Sequence, residues 1–590
     1  MIAHAPAASL SYPKGSGRTE WPWWALLFLI VVLLWCTAYN RWTLAAWKTP
    51  AVYDGDILAV MANAKAFATG DIYPIVPKYP ASLGAPFTAN WNDYPSPSEG
   101  IFVWMGMFVR LFGIFLGSNL ALLSAHLLAA ASFYFVARTL GYHKLLSLAT
   151  AVVFSMSRYA FARNLSHIGP LFYWHVPLAL LVLWWAGSDE SFAKDRRKIW
   201  FCVFVAVIHG IQDVYFSGLF LQFLVLTSLV CTIRRESWSR ILYPLGIASV
   251  VFATCMVMNL DTFYNRIVNG SNPESLVRNY AGLEVYALKP VELFLPIAHR
   301  LAPLDAWTHR AYVTQAAILG EIGPAYLGAV GIIALVLLFW VSFRTAVIGK
   351  DANVPSHFWL ILWIVFFSVI GGINSGLGLF GIILFRGSNR YSIVILAVAL
   401  LFLVKYLSAR VGRARPIAVA ALAGIVTCVA FLDQSPKPPT RAAINKVRAL
   451  TVSDGQVVSA LEAALPAKAM IFQLPVHPFP EAGPVREMGD YEHFRPYLQS
   501  HSLRFSYGST RGRTRERWQA EAEQMDAGRL ISTLESYGFS AILINKKAYE
   551  GRSPRLLAEL AAAGRPEILC ESNDLVCIAL HPLSKPILPP

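Results

Sequence analysis

Residues Trp21 to Tyr39 read WPWWALLFLIVVLLWCTAY, an apolar run without a charged side chain. A helix needs about 20 such residues to cross the roughly 30 Å hydrocarbon core of a bilayer. The run is too long for the apolar region of a signal peptide, and it lacks a small-residue cleavage site. We therefore predict a retained first membrane span, with Lys14 and Arg18 on the cytoplasmic side.

Similar apolar runs recur along most of the chain, which has 590 residues. Only 14% of its residues are charged, against about 25% in a typical soluble protein. The chain is therefore predicted to be a polytopic α-helical membrane protein with about eleven spans. The predicted spans run near 21–40, 118–138, 145–158, 168–187, 199–212, 215–233, 241–260, 323–344, 356–374, 391–408 and 416–432.

Short basic clusters between the spans predict the orientation, because Lys and Arg mark cytoplasmic loops. They also hold much of the net charge of +15, which therefore does not indicate nucleic-acid binding. With these clusters inside, the loops 41–117 and 261–322 face outward. Residues 101–117 are apolar but contain Arg110, and a full crossing there would move every later cluster outside, so we predict a re-entrant or surface-lying segment.

The composition changes near residue 434, where three prolines precede a less apolar tail. The β-like runs 470–474, 541–545 and 575–580 alternate with the helix-like runs 515–536 and 555–563, a pattern that predicts a small α/β domain. The chain is thus divided into a membrane module, 1–433, and a soluble domain on the outer face, 434–590. Cys570 and Cys577 flank a predicted turn and would face each other, as a disulfide in an oxidising compartment or as two free thiols.

Asp54 and Asp56 stand one residue apart in the first outer loop, just before a predicted short helix from Ile57 to Thr69. Two carboxylates in one loop suit Mg²⁺ or Mn²⁺, and either could instead act as a general base. The structural alternative is that Asp56 caps the helix, where a negative charge is favourable, and that Asp54 is a solvated turn residue.

Three further polar residues lie near the outer ends of spans. His167 could bind a metal or carry a proton near neutral pH. His209 and Asp213 are four residues apart, and helical spacing would place them on one face, where they could bind a metal or relay a proton. The alternative is a buried histidine that is hydrogen-bonded across helices.

Arg386 and Arg390 are also four residues apart at the outer end of a span, and helical spacing would again place both on one face. Arginine binds phosphate with two parallel hydrogen bonds. We therefore predict that this pair, together with the outward-facing Arg163, binds a phosphate at the outer interface. The alternative is that these arginines only snorkel, with the guanidinium groups reaching the membrane–water interface.

The order of these features resembles the GT-C superfamily of membrane glycosyltransferases, which includes protein O-mannosyltransferases, aminoarabinose transferases and the catalytic subunit of oligosaccharyltransferase. Four features match. Asp54 and Asp56 correspond to an acidic pair in the first outer loop, and residues 158–167 correspond to a polar second loop. Residues 261–322 correspond to a large outer loop, and the chain ends in a soluble tail. The second loop departs from several relatives because it contains no carboxylate, which weakens the case for a metal site built from both loops.

The resemblance implies a multi-pass enzyme of the bacterial inner membrane, with a cytoplasmic N-terminus and a periplasmic tail. It would transfer a sugar from a polyprenyl-phosphate donor to a glycan, lipid or protein acceptor, with inversion at the anomeric carbon. Asp54, assisted by Asp56, would be the base or the metal ligand. The alternatives are a flippase or transporter of lipid-linked saccharides, which would place polar groups at mid-membrane, and a non-enzymatic scaffold for envelope assembly.

Overall fold

The computed structural model describes residues 20–93, 98–188, 192–275, 277–348, 354–411 and 415–589. The chain divides into two compact units. The first comprises Met1–Trp42, Leu122–Met256 and Arg278–Pro439, and the second comprises Thr43–Ala121, Val257–Val277 and Thr440–Pro590. The tail thus shares a unit with the first outer loop, while the predicted domain boundary at residue 433 stays a prediction. Lys14 and Arg18 lie outside the described residues.

Membrane-length helices account for most of the first unit. Within the described ranges, nine helices are long and apolar enough to cross a membrane. Two predicted spans correspond to the shorter helices Arg196–Ile211 and Ser356–Ser368. The polytopic helical fold is confirmed, whereas the number of crossings and the side of the tail stay predictions. The nine helices are Trp21–Tyr39, Ile114–Thr139, Lys144–Arg163, Leu165–Ser188, Val214–Ile233, Trp238–Met258, Gly328–Ile348, Ser388–Ser408 and Pro416–Gln434.

The first outer loop folds into short helices within the second unit. The helix Asp56–Thr69 begins one residue before the predicted helix Ile57–Thr69 and packs against Glu99–Phe112. A Cβ on Gly106 would lie 3.1 Å from the Cβ of Phe67. Glu99–Phe112 has 14 residues, about 21 Å at 1.5 Å per residue, and Gly113 ends it with φ +79°. By itself it is therefore too short to cross a bilayer, although the path of 101–117 relative to a membrane stays a prediction.

Shorter elements occupy the segments between the later spans. Leu260–Asn269 follows the span Trp238–Met258 directly and belongs to the second unit. The other short elements before residue 440 are Leu44–Trp47, Phe192–Lys194, Ala281–Val285, Pro290–Leu293, Ala302–Thr308, His309–Val313 and Ile373–Leu379. Three membrane-length stretches consist of successive helices: Lys144–Ser155 with Arg158–Arg163, Leu165–His167 with Ile168–Leu171 and His175–Ser188, and Ser388–Tyr391 with Ser392–Ser408.

The tail contains five strands, β1 Met470–Leu474, β2 Arg504–Phe505, β3 Phe539–Asn545, β4 Ile568–Glu571 and β5 Leu575–Ala579. They form one mixed sheet with the strand order β2-β1-β3-β5-β4. Strand β1 is parallel to β2 and β3, whereas β5 is antiparallel to β3 and β4. Buried Phe472, Trp518, Phe539 and Ile542 fill its core. The helices of the tail are Arg441–Ala464, Phe494–Gln499, Thr514–Glu523, Ala527–Ser536, Lys546–Tyr549 and Ser553–Ala562.

The two tail cysteines occupy the positions that the sequence predicts. Cys570 in β4 pairs in register with Cys577 in β5, so the predicted facing arrangement is correct. Both are free thiols in the structure, which corresponds to the second of the two alternatives. The predicted single helix 515–536 is instead two helices, because Asp526 caps the second one by accepting a hydrogen bond from the N–H of Arg529 at 3.0 Å.

Candidate functional site

Glu321 is the centre of a charged cluster in the first compact unit. It lies in the loop before the span Gly328–Ile348 and follows Gly320, whose φ is +65°. A Cβ on Gly320 would lie 2.0 Å from the carbonyl oxygen of Val285. Only glycine tolerates that conformation and that close approach, so the local backbone fixes the point from which the Glu321 side chain extends.

Arg163 forms the closest ion pair with Glu321. It is the last residue of the short helix Arg158–Arg163, which Ser157 caps at its N-terminus. The Arg163 side chain is only 1% exposed, and its Nη1 lies 2.7 Å from Glu321 Oε2. Its guanidinium also lies 5.4 Å from the ring centre of Tyr159. The segment 158–167, the predicted second outer loop, therefore supplies a buried cation rather than a carboxylate.

Arg390 approaches Glu321 through the other carboxylate oxygen. Its Nη2 lies 3.6 Å from Glu321 Oε1, and its guanidinium lies 4.4 Å from the ring centre of Tyr215. The carboxyl of Asp213 accepts a hydrogen bond from the Tyr215 N–H at 2.8 Å. Burial raises the pKa of Asp213, and the charge of Arg390 opposes that rise. Arg390 therefore interacts with the charges of both Glu321 and Asp213.

Two neutral or titratable side chains complete the surroundings of Glu321. The Nδ2 of Asn389 donates a hydrogen bond to Glu321 Oε2 at 3.1 Å, and His167 Nε2 lies 3.8 Å from Oε1. Burial alone would raise the pKa of Glu321, but the charges of Arg163 and Arg390 outweigh that effect and lower the pKa to about 2. Glu321 is therefore a carboxylate at neutral pH and not a proton acceptor.

The two arginines retain unused hydrogen-bonding capacity. Arg163 Nε and Nη2 and Arg390 Nε are buried and have no hydrogen-bond partner among the described residues. A buried donor without a partner costs about 1–3 kcal/mol, and a guanidinium suits the oxygens of a phosphate. Both guanidinium groups therefore keep donors that could bind the oxygens of a phosphate.

Arg386 contacts Tyr286 and not the residues around Glu321. The structure also corrects the predicted helical pairing of Arg386 with Arg390. The Arg386 guanidinium lies 5.2 Å from the ring centre of Tyr286. Residues 386 and 387 are not helical, and Ser388–Tyr391 forms a 3₁₀ turn. The expectation that helical spacing places Arg386 and Arg390 on one face is wrong, because no helix joins them.

The expected pairing of His209 with Asp213 on one helical face is also wrong. The helix Arg196–Ile211 ends before Asp213, which has extended backbone angles and caps the next helix. His209 Nε2 instead lies 3.1 Å from His175 Nδ1, and both imidazoles are buried. This arrangement corresponds to the structural alternative of a histidine hydrogen-bonded across helices. A role for His209 or Asp213 with a metal or a proton stays a prediction.

The acidic loop belongs to the second compact unit. Asp54 and Asp56 are both exposed, and Gly55 between them has φ +57°. Gly55 is the N-cap of the helix Asp56–Thr69, so Asp56 stands in its first turn, where the helix dipole favours a negative charge. The charge of Asp56 contributes to raising the pKa of Tyr491, after burial and Asp490. The catalytic role of the pair stays a prediction.

A buried arginine of the tail supports this loop. Arg495 Nε and Nη2 lie 2.8 Å and 2.7 Å from the two carboxylate oxygens of Asp454, and Nη1 lies 3.2 Å from both Glu492 and Asp574. Its guanidinium lies 5.8 Å from the ring centre of Tyr53, which directly precedes Asp54 and is 5% exposed. The buried Tyr53 ring therefore anchors the start of the acidic loop.

The residues of the acidic loop fit only part of a divalent-cation site. In the described ranges there is no group of three or more His, Cys, Asp or Glu residues that could hold a metal ion. Mg²⁺ commonly binds one or two carboxylates together with phosphate oxygens of a substrate. Asp54 and Asp56 therefore fit a Mg²⁺ or Mn²⁺ ion that a substrate helps to hold, but not one that the protein holds alone.

No protein-family model and no curated protein matches the chain. Among solved structures, the chain is similar to ArnT from Cupriavidus metallidurans bound to undecaprenyl phosphate, with 14% identity, a TM-score of 0.41, and coverage of 95% of this chain and 98% of that one. It is also similar to the oligosaccharyltransferase AglB from Archaeoglobus fulgidus in complex with an inhibitory peptide and a dolichol-phosphate, with 11% identity, a TM-score of 0.44, and coverage of 92% and 72%.

Sequence reasoning missed Glu321 and Arg495. Glu321 lies between Gly320 and Gly323, both with positive φ, just before a span. An acid flanked by glycines at the end of an outer loop was the available signal. Arg495 lies in the tail, and no local pattern distinguishes it from the exposed arginines there.

Proposed function

We propose that this protein is a membrane glycosyltransferase that takes its sugar from a polyprenyl-phosphate donor and passes it to an acceptor at the outer face. The observation that supports this most is the cluster of Arg163, Arg390 and Glu321, which is buried at the ends of spans and retains free guanidinium donors. A lipid-linked sugar would present its phosphate at the membrane surface, where the predicted topology puts these helix ends.

Glu321 would orient the two arginines before the donor binds. One oxygen faces Arg163 and the other faces Arg390, so each guanidinium is held with some of its N–H groups already used. The donor phosphate would accept hydrogen bonds from the remaining Nε and Nη2 groups. When the bond between the anomeric carbon and the phosphate oxygen breaks, these groups would stabilise the charge on the departing phosphate.

Asp54 would act on the acceptor. An exposed carboxylate can accept the proton of an acceptor hydroxyl as that oxygen bonds to the anomeric carbon. A single displacement of this kind inverts the anomeric configuration. Asp56 would assist, and both could hold a Mg²⁺ or Mn²⁺ ion, which would supply Lewis acidity when bound.

Binding of polyprenyl phosphate to the purified protein in detergent tests the proposed phosphate site. Replacing Arg390 removes hydrogen bonds to a charged group, worth about 1.5–3 kcal/mol each, so Arg390→Gln is expected to weaken binding by about 10- to 100-fold. Arg386→Gln is the matched control, because Arg386 contacts Tyr286 and not Glu321. Equal binding by wild type and Arg390→Gln would remove the cluster from donor recognition.

A further inference from the structure

A groove opens between the helices Arg196–Ile211 and Trp238–Met258, both in the first compact unit up to Met256. The helices touch near one end, because a Cβ on Gly210 would lie 2.4 Å from the Cβ of Thr254. They diverge toward their N-termini, where a Cβ on Gly246 would have no heavy atom within 4 Å. The resulting groove has a volume of about 390 Å³.

The walls of the groove are apolar over about one leaflet. Ile199 and Cys202 line one side, and Leu242, Gly246 and Val250 line the other. The groove extends along the second helix from residue 239 to residue 250, roughly 16 Å at 1.5 Å per residue. Half of a bilayer core is about 15 Å thick. The groove therefore has the length and the polarity of a site for one acyl chain.

The open end of the groove is basic. Arg196 and Arg197 are exposed, and Arg196 precedes the groove-lining Ile199 by three residues, so both lie on the same helical face. The segment 194–198 has four basic residues and one acid, Asp195, which caps its own helix. The segment 234–240 has three basic residues and one acid, Glu236, which lies 2.8 Å from Arg240. Positive charge therefore exceeds negative charge around the mouth.

We propose that this groove binds an anionic phospholipid, with one acyl chain against Leu242, Gly246 and Val250 and with its phosphate near Arg196 and Arg197. Basic pockets between membrane helices recognise anionic head groups because the phosphate meets positive charge at the interface while the chain stays in an apolar groove. The site is separate in its residues from the Glu321 cluster, and it does not depend on the proposed sugar transfer.

Native mass spectrometry of the full chain, released from nanodiscs of equal phosphatidylglycerol and phosphatidylcholine content, tests the groove. A Cβ on Gly246 would meet no neighbour within 4 Å, so Gly246→Leu is expected to place its side chain in the groove and to lose the retained phosphatidylglycerol. Gly424→Leu is the matched control, because a Cβ on Gly424 also has no neighbour within 4 Å and that residue lies on the helix Pro416–Gln434. Equal retention by Gly246→Leu and wild type would overturn the proposal.

The role of Arg196 and Arg197 is tested separately. Both side chains are exposed, so replacing them does not require the groove to accommodate a larger residue. A basic residue near an anionic surface contributes about fivefold in affinity, so Arg196→Gln with Arg197→Gln should lower the preference for phosphatidylglycerol over phosphatidylcholine by about 25-fold. Arg344→Gln with Arg410→Gln is the charge-matched control. An unchanged preference, or retention of polyprenyl phosphate in place of the phospholipid, would overturn the assignment.

Discussion

Replacing Glu321 by Gln separates the structural role of this residue from donor binding. The change removes one negative charge from between two buried guanidinium groups and keeps the size of the side chain. In the folded protein the pKa of Glu321 falls from 4.5 to about 2, and each unit of pKa corresponds to 1.36 kcal/mol. Loss of this interaction should therefore lower the free energy of unfolding by about 3 kcal/mol, a value within the usual range for a broken buried ion pair.

The free energy of unfolding can be compared by denaturant titration in detergent for wild type, Glu321→Gln, Arg163→Gln and the double variant. Because the two side chains contact each other, the double variant should lose less than the sum of the single losses. Glu321→Gln should still bind polyprenyl phosphate, since the competing carboxylate is gone and both arginines remain. Strict additivity, or loss of binding in a folded Glu321→Gln protein, would refute this account of the cluster.

Three further predictions concern pH, the tail and the cation. Because the pKa of Glu321 is lowered in the folded state, its contribution to the free energy of unfolding is present above pH 4.5 and is lost as the pH falls toward 2. The free energy of unfolding of Glu321→Gln should lack this decrease between pH 4.5 and 2. Arg495→Met should lower the free energy of unfolding by about 3–5 kcal/mol, because it leaves buried carboxylates unpaired. Arg555→Gln is the control at an exposed ion pair and should lower it by less than about 1 kcal/mol. Equal losses in the two variants would contradict the buried network. If Asp54 and Asp56 share a cation with the substrate, EDTA should lower the rate of sugar transfer and added Mg²⁺ should restore it. If EDTA has no effect on transfer, these two residues do not act through a cation, and only the proposed proton transfer remains for them.

The regular elements could be predicted from the sequence because their signals are local. The apolar run from Trp21 to Tyr39 is one helix, and Met470–Leu474 is a strand, as their patterns indicate. The register of Cys570 with Cys577 followed from a turn between two β-like runs. Each of these inferences needed only neighbouring residues and a period of 2 or 3.6.

The candidate site could be predicted only in part because its contacts are long-range. Arg163 and Arg390 were identified from charge on the outer side of spans, where arginine is depleted. Glu321 was missed because it meets Arg163 across 158 positions of sequence, 321 against 163. The helical spacing expected for Arg386 with Arg390 and for His209 with Asp213 failed, because each pair spans a helix boundary that periodicity alone does not locate.

The most direct test of the central claim is transfer of a radiolabelled sugar from a panel of polyprenyl-phosphate donors, with wild type beside Asp54→Asn in membrane extracts. We predict that wild type moves label from at least one donor to an acceptor and that Asp54→Asn, while still folded and still binding polyprenyl phosphate, does not. Equal transfer by both proteins would remove Asp54 from the chemistry. No transfer by folded wild type from any donor would contradict the assignment as a glycosyltransferase and favour a transporter or a scaffold.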